Sequence, residues 1–257
     1  KSSLSEAHRS LRTALQFSGA DGAPRILLIT SSEPSEGKST TAFKLVQDFA
    51  ALGANVLAID ADLRKPNLHR LFGMSNTIGL SNLLTNTIRK SDLPNVIRST
   101  RYENVSVMTS GTIPPNPADL LSSPRMAMVV NNLGKRFDMI VIDAPPVVGL
   151  SDAPILGRLA EGTLMIVSTN QVTRKSAKAA LKRMRAAGAN VLGVAMSKFA
   201  VNKFDYNYAY KYMNYQYYSY GADAPKLESH HHDDVGQEKV RSSVIARMAG
   251  RFGKRLD

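Results

Sequence analysis

Residues 25–46 read RILLITSSEPSEGKSTTAFKLV, and this stretch decides the fold. Ile26–Thr30 is a short apolar run without polar alternation, the pattern of a strand buried on both faces of a parallel sheet. It runs into a polar loop, and from about Lys38 to Leu52 the pattern becomes helical. A Gly37-Lys38-Ser39 core that follows a strand and opens a helix is the context a phosphate-binding loop requires. Backbone N–H groups and the helix N-terminus would cradle phosphates there. Lys38 would reach the β- and γ-phosphates of ATP, and the Ser39 hydroxyl would hold Mg²⁺. The first glycine of the usual pattern is Ser32 here, so the match is incomplete by pattern alone. A Gly-Lys-Ser that merely caps a helix is the bland alternative.

Working outward, apolar runs at Val56–Asp60, Val105–Thr109, Met139–Asp143, Leu164–Ser168 and Val191–Met196 predict five more strands. Helices are expected near Pro124–Gly134, Ala153–Ala160 and Arg174–Gly188. Alternating strands and helices predict a doubly wound α/β fold of the P-loop NTPase type, mainly parallel, with helices on both faces and ligands at the carboxyl ends of the strands. Two strands end in aspartates. VLAIDADLRKP carries Asp60 and Asp62, and MIVIDAPP carries Asp143. A carboxylate at the tip of a strand beside a phosphate loop is the Walker-B arrangement for Mg²⁺ and its waters. One such Asp could be a turn former; three behind apolar runs, with a lysine loop, are harder to assign to turns.

Composition sets the outer limits. Thirty-three Lys and Arg against twenty-one Asp and Glu give a net charge of +12. No nucleic-acid-binding motif accompanies that charge, so work beside an anionic membrane surface is favoured over a nucleic-acid partner. The absence of cysteine removes thiolate metal sites, disulfides and thiol nucleophiles. No run reaches the ~18 apolar residues of a membrane span. The start, KSSLSEAHRS, lacks the apolar stretch of a secretory leader and begins with Lys, which suggests a piece of a longer chain.

After Phe199 the composition changes. From 206 to 220 the sequence is YNYAYKYMNYQYYSY, eight tyrosines in fifteen residues. With almost no aliphatic partners this segment cannot form a core, and it reads as a flexible tail. The division expected is therefore 1–200 for the P-loop domain, with 1–20 as an N-terminal helix, and 201–257 for the tail. A polar linker follows at 221–236, whose His230, His231 and His232 read as solvated residues before metal ligands. Lys239–Leu256 places Val240, Val244, Met248 and Phe252 at i+4 spacing among basic residues, a pattern that suits an anionic membrane surface. A helix packed on the domain or a frayed tail is the favoured reading, since Gly250 and Gly253 weaken the helix.

These features, taken in order, resemble the bacterial tyrosine kinases, the cytoplasmic domains of polysaccharide co-polymerases. The resemblance runs from about Leu4 to Tyr220. It is carried by EPSEGKST, IDADLRKP, GTIPPNPADLLSS, VIDAPP, the start SEAHRSLRTAL and the tyrosine cluster. It implies transfer of phosphate from ATP, with Mg²⁺, to tyrosine. The loop residues Ser35, Glu36, Gly37, Lys38, Ser39 and Thr40 would bind nucleotide. Ser39, Asp62 and Asp143 would hold Mg²⁺, and Lys38, Asp60 and Asp62 would be catalytic. Asp60 is the candidate base for the tyrosine hydroxyl, although the roles of Asp60 and Asp62 are exchangeable at this level. The acceptors would be Tyr206, Tyr208, Tyr210, Tyr212, Tyr215, Tyr217, Tyr218 and Tyr220, presented to a neighbouring subunit of a homo-oligomeric ring. Glu6, Arg9 and Arg12, at helical spacing, match the family's subunit-contact motif. The resemblance also implies a cognate tyrosine phosphatase, membrane attachment through an upstream region, and a place at the cytoplasmic face of the inner membrane.

Two departures stand out. Ser35 replaces a glycine common in the family, and the chain continues about 37 residues past Tyr220. Deviant P-loop ATPases that position chromosomes or division sites are the nearest rivals; they carry a second lysine where this chain has Glu33, and they lack a tyrosine-rich tail. A nucleotide-binding assembly module with little kinase activity is the other alternative.

Overall fold

Successive residues of each central strand point to opposite sheet faces, and here both sides are core. Leu28, Leu57, Ile59, Met108, Ile140 and Ile142 pack on one side. Leu27, Ile29, Ala58, Val107, Val141 and Ile166 pack on the other. That double burial is why these strands read as unbroken apolar runs. The computed structural model describes residues 3–19, 22–87, 95–169 and 171–198, with the side chains of 3 and 4 excepted. The tyrosine cluster, the polar linker and the basic C-terminal segment lie outside the described residues, as does the division expected at 200.

In chain order the elements are α1 Ser3–Gln16, β1 Ile26–Ser31, α2 Lys38–Ala50, β2 Val56–Asp60, α3 Leu68–Phe72, α4 Leu80–Leu84, β3 Arg98–Ser99, β4 Val105–Met108, α5 Pro117–Leu121, α6 Pro124–Gly134, β5 Met139–Asp143, α7 Asp152–Gly157, β6 Gly162–Ser168, α8 Arg174–Ala186 and β7 Val191–Ser197. The sheet order is β3-β4-β2-β5-β1-β6-β7. Every pairing is parallel except the antiparallel edge pair β3–β4. This is the doubly wound P-loop architecture the sequence predicts.

All six expected strands are present; Val56–Asp60 and Met139–Asp143 have the expected bounds, and the other four differ at one end by one or two residues. The helix expected at Ala153–Ala160 begins at Asp152 and stops at Gly157. Three short helices, α3, α4 and α5, and the two-residue β3 were not expected; at five residues or fewer they carry too little periodicity to read. Two longer helices start on local chemistry. Ser123 caps α6 by accepting from the Met126 N–H, with Pro124 at the first position, and Thr173 caps α8 by accepting from the Ser176 N–H.

Helix α1 carries Glu6, Arg9 and Arg12 as expected. Leu15 is buried and Leu11 packs on the same core, so α1 is seated on the α2 side of the sheet. Glu6 and Arg9 lie about half exposed, 3.6 Å apart across one helical turn.

Candidate active site

The parallel register gathers the site. Asp60 at the end of β2 stands opposite Asp143 at the end of β5. Strand β5 in turn lies beside β1, from whose end the phosphate loop departs. Two carboxylates thus occupy neighbouring strand tips, and both are 0 % exposed. Burial disfavours the charged form, and each carboxylate disfavours ionisation of the other. Burial first, then Asp143, pushes the Asp60 carboxyl up to about 8, against the lowering effect of a backbone N–H from Leu68 and the charge of Lys38. Asp143 is also raised, chiefly by burial, with Lys38 and Ser39 opposing and Asp62 adding.

Lys38, the first residue of α2, answers this negative charge. Its Nζ lies 2.7 Å from Asp62 Oδ2 and 3.5 Å from Asp143 Oδ1. Burial alone lowers the lysine pKa, but Asp143, Asp62 and Asp60 together outweigh it, and the net shift is upward. The two aspartates of IDAD face different ways. Asp60 Oδ2 accepts backbone N–H groups of Asn67 and Leu68 at 3.0 and 2.9 Å, where α3 begins. Asp62 lines the cleft, with its Oδ1 accepting from Lys65 N at 2.9 Å.

The loop owes its shape to braces distant in sequence. Ser35 has φ 65° and Gly37 φ 91°, both left-handed. Glycine takes that conformation freely, and serine does so with strain. Lys198 Nζ donates to the Ser35 carbonyl at 2.7 Å, Gln171 Nε2 donates to the Pro34 carbonyl at 3.1 Å, and the Ser197 hydroxyl donates to the Glu36 carbonyl at 2.6 Å. Glu36 is fully buried. Its carboxylate accepts from the N–H groups of Ser168 and Glu33 at 2.8 and 2.6 Å. Its side chain is therefore turned away from any nucleotide, and its free contribution to the loop is the backbone N–H. Ser35, Gly37, Lys38, Ser39 and Thr40 all line one cleft of about 720 Å³, which Asp62 also lines.

The donor set fits a magnesium nucleotide. Both Asp143 oxygens are buried, and neither makes a well-formed hydrogen bond; Oδ1 has only the Lys38 ammonium at 3.5 Å, a partial compensation that a hydrated cation would complete. Among the described residues no group of three or more His, Cys, Asp or Glu is arranged to hold a metal.

Comparison with known proteins resolves the family. The matching family model, described as ParA: NUBPL iron-transfer P-loop NTPase, spans residues 23–217. This chain has no cysteine with which to hold iron through thiolates. The tyrosine-protein kinase YwqD of Bacillus subtilis is 38% identical over 203 residues, covering 79% of this chain and 84% of the relative. The chain belongs to the bacterial tyrosine kinases. The solved kinase domain of the Escherichia coli tyrosine kinase ETK superposes with a TM-score of 0.70 at 32% identity, covering 77% of this chain and 78% of that one. A putative tyrosine-protein kinase of the Klebsiella pneumoniae cps region is 34% identical over 202 residues; the match covers 77% of this chain and only 28% of that longer relative.

Within this tyrosine-kinase fold, Lys38, Ser39, Asp62 and Asp143 come together as the sequence suggested, with Asp60 directly behind them. Glu33, where rival ATPases have a lysine, accepts a hydrogen bond from the Ser176 hydroxyl of α8 at 2.6 Å. Sequence reasoning missed Asp152, a fully buried carboxylate at the start of α7. Arg64 forks onto it, with Nε and Nη2 at 2.8 and 3.0 Å. It also missed Gln171, Ser197 and Lys198, because no local pattern links them to a loop over 130 residues earlier. No described helix is long and apolar enough to cross a membrane.

Proposed function

We propose that this bacterial tyrosine kinase uses Mg²⁺·ATP to phosphorylate the tyrosine cluster at 206–220 of a neighbouring subunit, and that this modification sets the assembly state of a homo-oligomer controlling export of an extracellular polysaccharide. The observation that carries the chemistry is the meeting of Lys38 with Asp62 inside the loop-walled cleft, with Asp143 3.5 Å from the same ammonium in the carboxylate floor buried beneath it. When bound, Mg²⁺·ATP would supply the phosphoryl group and a metal charge to offset the negative charge of its phosphates. Ser39, Asp62 and Asp143 would hold that metal, largely through water. Lys38 supplies fixed positive charge where negative charge develops on the transferring group.

A tyrosine hydroxyl has an unperturbed pKa of about 10, so a carboxylate of raised proton affinity suits the role of acceptor for its proton. Asp60, beneath the cleft, has its carboxyl pushed up to about 8 by burial and Asp143, and it takes that role only once the charge of Mg²⁺·ATP favours its ionised form. The cleft-lining position of Asp62 supports the exchanged assignment as a second reading.

Each phosphate adds about 1.5–2 negative charges, so a modified cluster is repelled from Asp62, the carboxylate that lines the cleft. Attachment to the inner membrane through an upstream region, contacts through Glu6, Arg9 and Arg12, and reversal by a tyrosine phosphatase complete the proposed cycle. Replacing all eight cluster tyrosines by phenylalanine keeps the aromatic bulk and removes only hydroxyls. Phosphate incorporation from Mg²⁺·ATP should then fall to the level of Tyr102 alone, with nucleotide binding unchanged. Undiminished incorporation would place the acceptors elsewhere.

A further inference from the structure

A second cleft of about 520 Å³ adjoins the first and shares Arg64, Lys65 and Asn67 with it. Its lining continues through Pro66, His69 and Arg70 to Ile113, and contains no carboxylate. Arg64 is committed to Asp152. Among the described residues Lys65 and Arg70, both exposed, make no ion pair. Ile113, at 65 % exposure, puts an aliphatic surface beside these cations. A cationic wall next to an apolar one suits a ligand that joins an anion to a hydrophobic ring, because guanidinium and ammonium groups hold phosphate by charge-assisted hydrogen bonds while the ring covers the aliphatic face.

The unmodified acceptor segment is a poor match. From 206 to 220 its one charged residue is Lys211, and it has no acid. After one transfer it becomes a good match, since a phosphotyrosine then lies within one to three residues of the next acceptor. In an extended chain that separation is roughly 3–10 Å, short enough for adjoining clefts to hold both residues at once.

Building on the acceptor assignment above, we propose that the cleft around Lys65, Arg70 and Ile113 is a phosphotyrosine subsite, which holds a residue already modified while the neighbouring tyrosine enters the catalytic cleft. The basic cleft beside the catalytic one receives the new phosphate. Phosphorylation of the cluster then accelerates after the first event.

The test uses the full chain, dephosphorylated and without ATP, and a synthetic peptide of residues 205–220 carrying either no phosphate or one at Tyr215. The phosphopeptide should bind about tenfold more tightly, the scale of one charge-assisted hydrogen bond. Arg70→Glu, which alters a residue lining only the second cleft, should erase that preference while leaving affinity for a fluorescent ADP analogue unchanged. Equal affinity for the two peptides overturns the proposal, as does a preference that survives Arg70→Glu. Competition by the ADP analogue that abolishes phosphopeptide binding also overturns it, by placing the phosphate on the loop. With ATP added, failure to phosphorylate the unmodified peptide counts against the acceptor assignment, whereas the subsite is judged by the binding measurements.

Discussion

Lys198 donates its Nζ to the carbonyl of Ser35 at 2.7 Å and so fastens the end of β7 to the phosphate loop. The same ammonium reaches Gln171 Oε1 at 3.0 Å, whose amide nitrogen holds Pro34. Ser35 sits at φ 65°, and a left-handed serine costs about 1 kcal/mol. The clamp opposes that strain. Lys198→Met should weaken binding of a fluorescent ADP analogue about fivefold, the scale of one partly solvated charged hydrogen bond. Ser35→Gly in the same chain should recover most of that loss. Additive effects of the two substitutions would show that strain and clamp are unconnected.

Lys38 is the cation in contact with the carboxylate floor, so its removal has two consequences. Lys38→Met should lower the rate of tyrosine phosphorylation by about 10²–10³, the usual effect of deleting one electrostatic stabiliser. It should also lower the thermal midpoint of the nucleotide-free chain at pH 7 more than at pH 5, because Asp143, whose carboxyl burial holds above the usual range, ionises further as pH rises and then lacks its counter-charge. A variant with unchanged turnover would contradict the assignment of Lys38.

Asp143 and Asp60 should separate by phenotype. Asp143→Asn removes a candidate support for Mg²⁺, and should raise the Mg²⁺ concentration needed for half-maximal activity several-fold. Asp60→Asn should depress turnover while leaving ADP-analogue affinity within about twofold. If Asp62→Asn rather than Asp60→Asn shows that pattern, the two roles are exchanged.

Stability should follow the raised carboxyls. An acid whose pKa is higher folded than unfolded binds its proton more tightly in the native state, so its contribution favours folding at low pH and is lost as pH rises. For Asp60 the window runs from the unfolded value of 3.8 to about 8. His8 and His69 are both pulled down by burial and act oppositely near pH 6. The informative quantity is therefore the difference in midpoint between wild type and Asp60→Asn. That difference should grow in favour of the variant between pH 5 and 8, and should shrink with Mg²⁺·ATP, whose metal charge favours ionised carboxylates. A difference independent of pH would refute the raised Asp60.

The Arg64–Asp152 pair ties the loop after β2 to the start of α7. Arg64→Ala leaves Asp152 fully buried without its partner, whereas Asp152→Asn leaves a neutral amide beside a partly solvated guanidinium. The first should therefore cost more, about 3 kcal/mol against about 1, measured by denaturant unfolding. The reverse order would mean that Asp152 reaches water when unpaired.

The sequence by itself determined the sheet, because strands such as Val56–Asp60 and Met139–Asp143 are buried on both faces and so are apolar at every position but the last. It also determined the site's chemical inventory: a Gly-Lys-Ser after a strand and aspartates at strand tips are local patterns, each readable within a few residues. Tertiary structure decided how those residues act. Asp60 and Asp62 are indistinguishable as an i, i+2 pair. The chain turn after β2 sends Asp60 to the backbone of α3 and Asp62 into the cleft. The register that seats Asp60 against Asp143, the hold of Lys198 on Ser35 and the Arg64–Asp152 fork each join residues more than 80 positions apart. Such contacts follow from strand order and helix packing, which no local periodicity records.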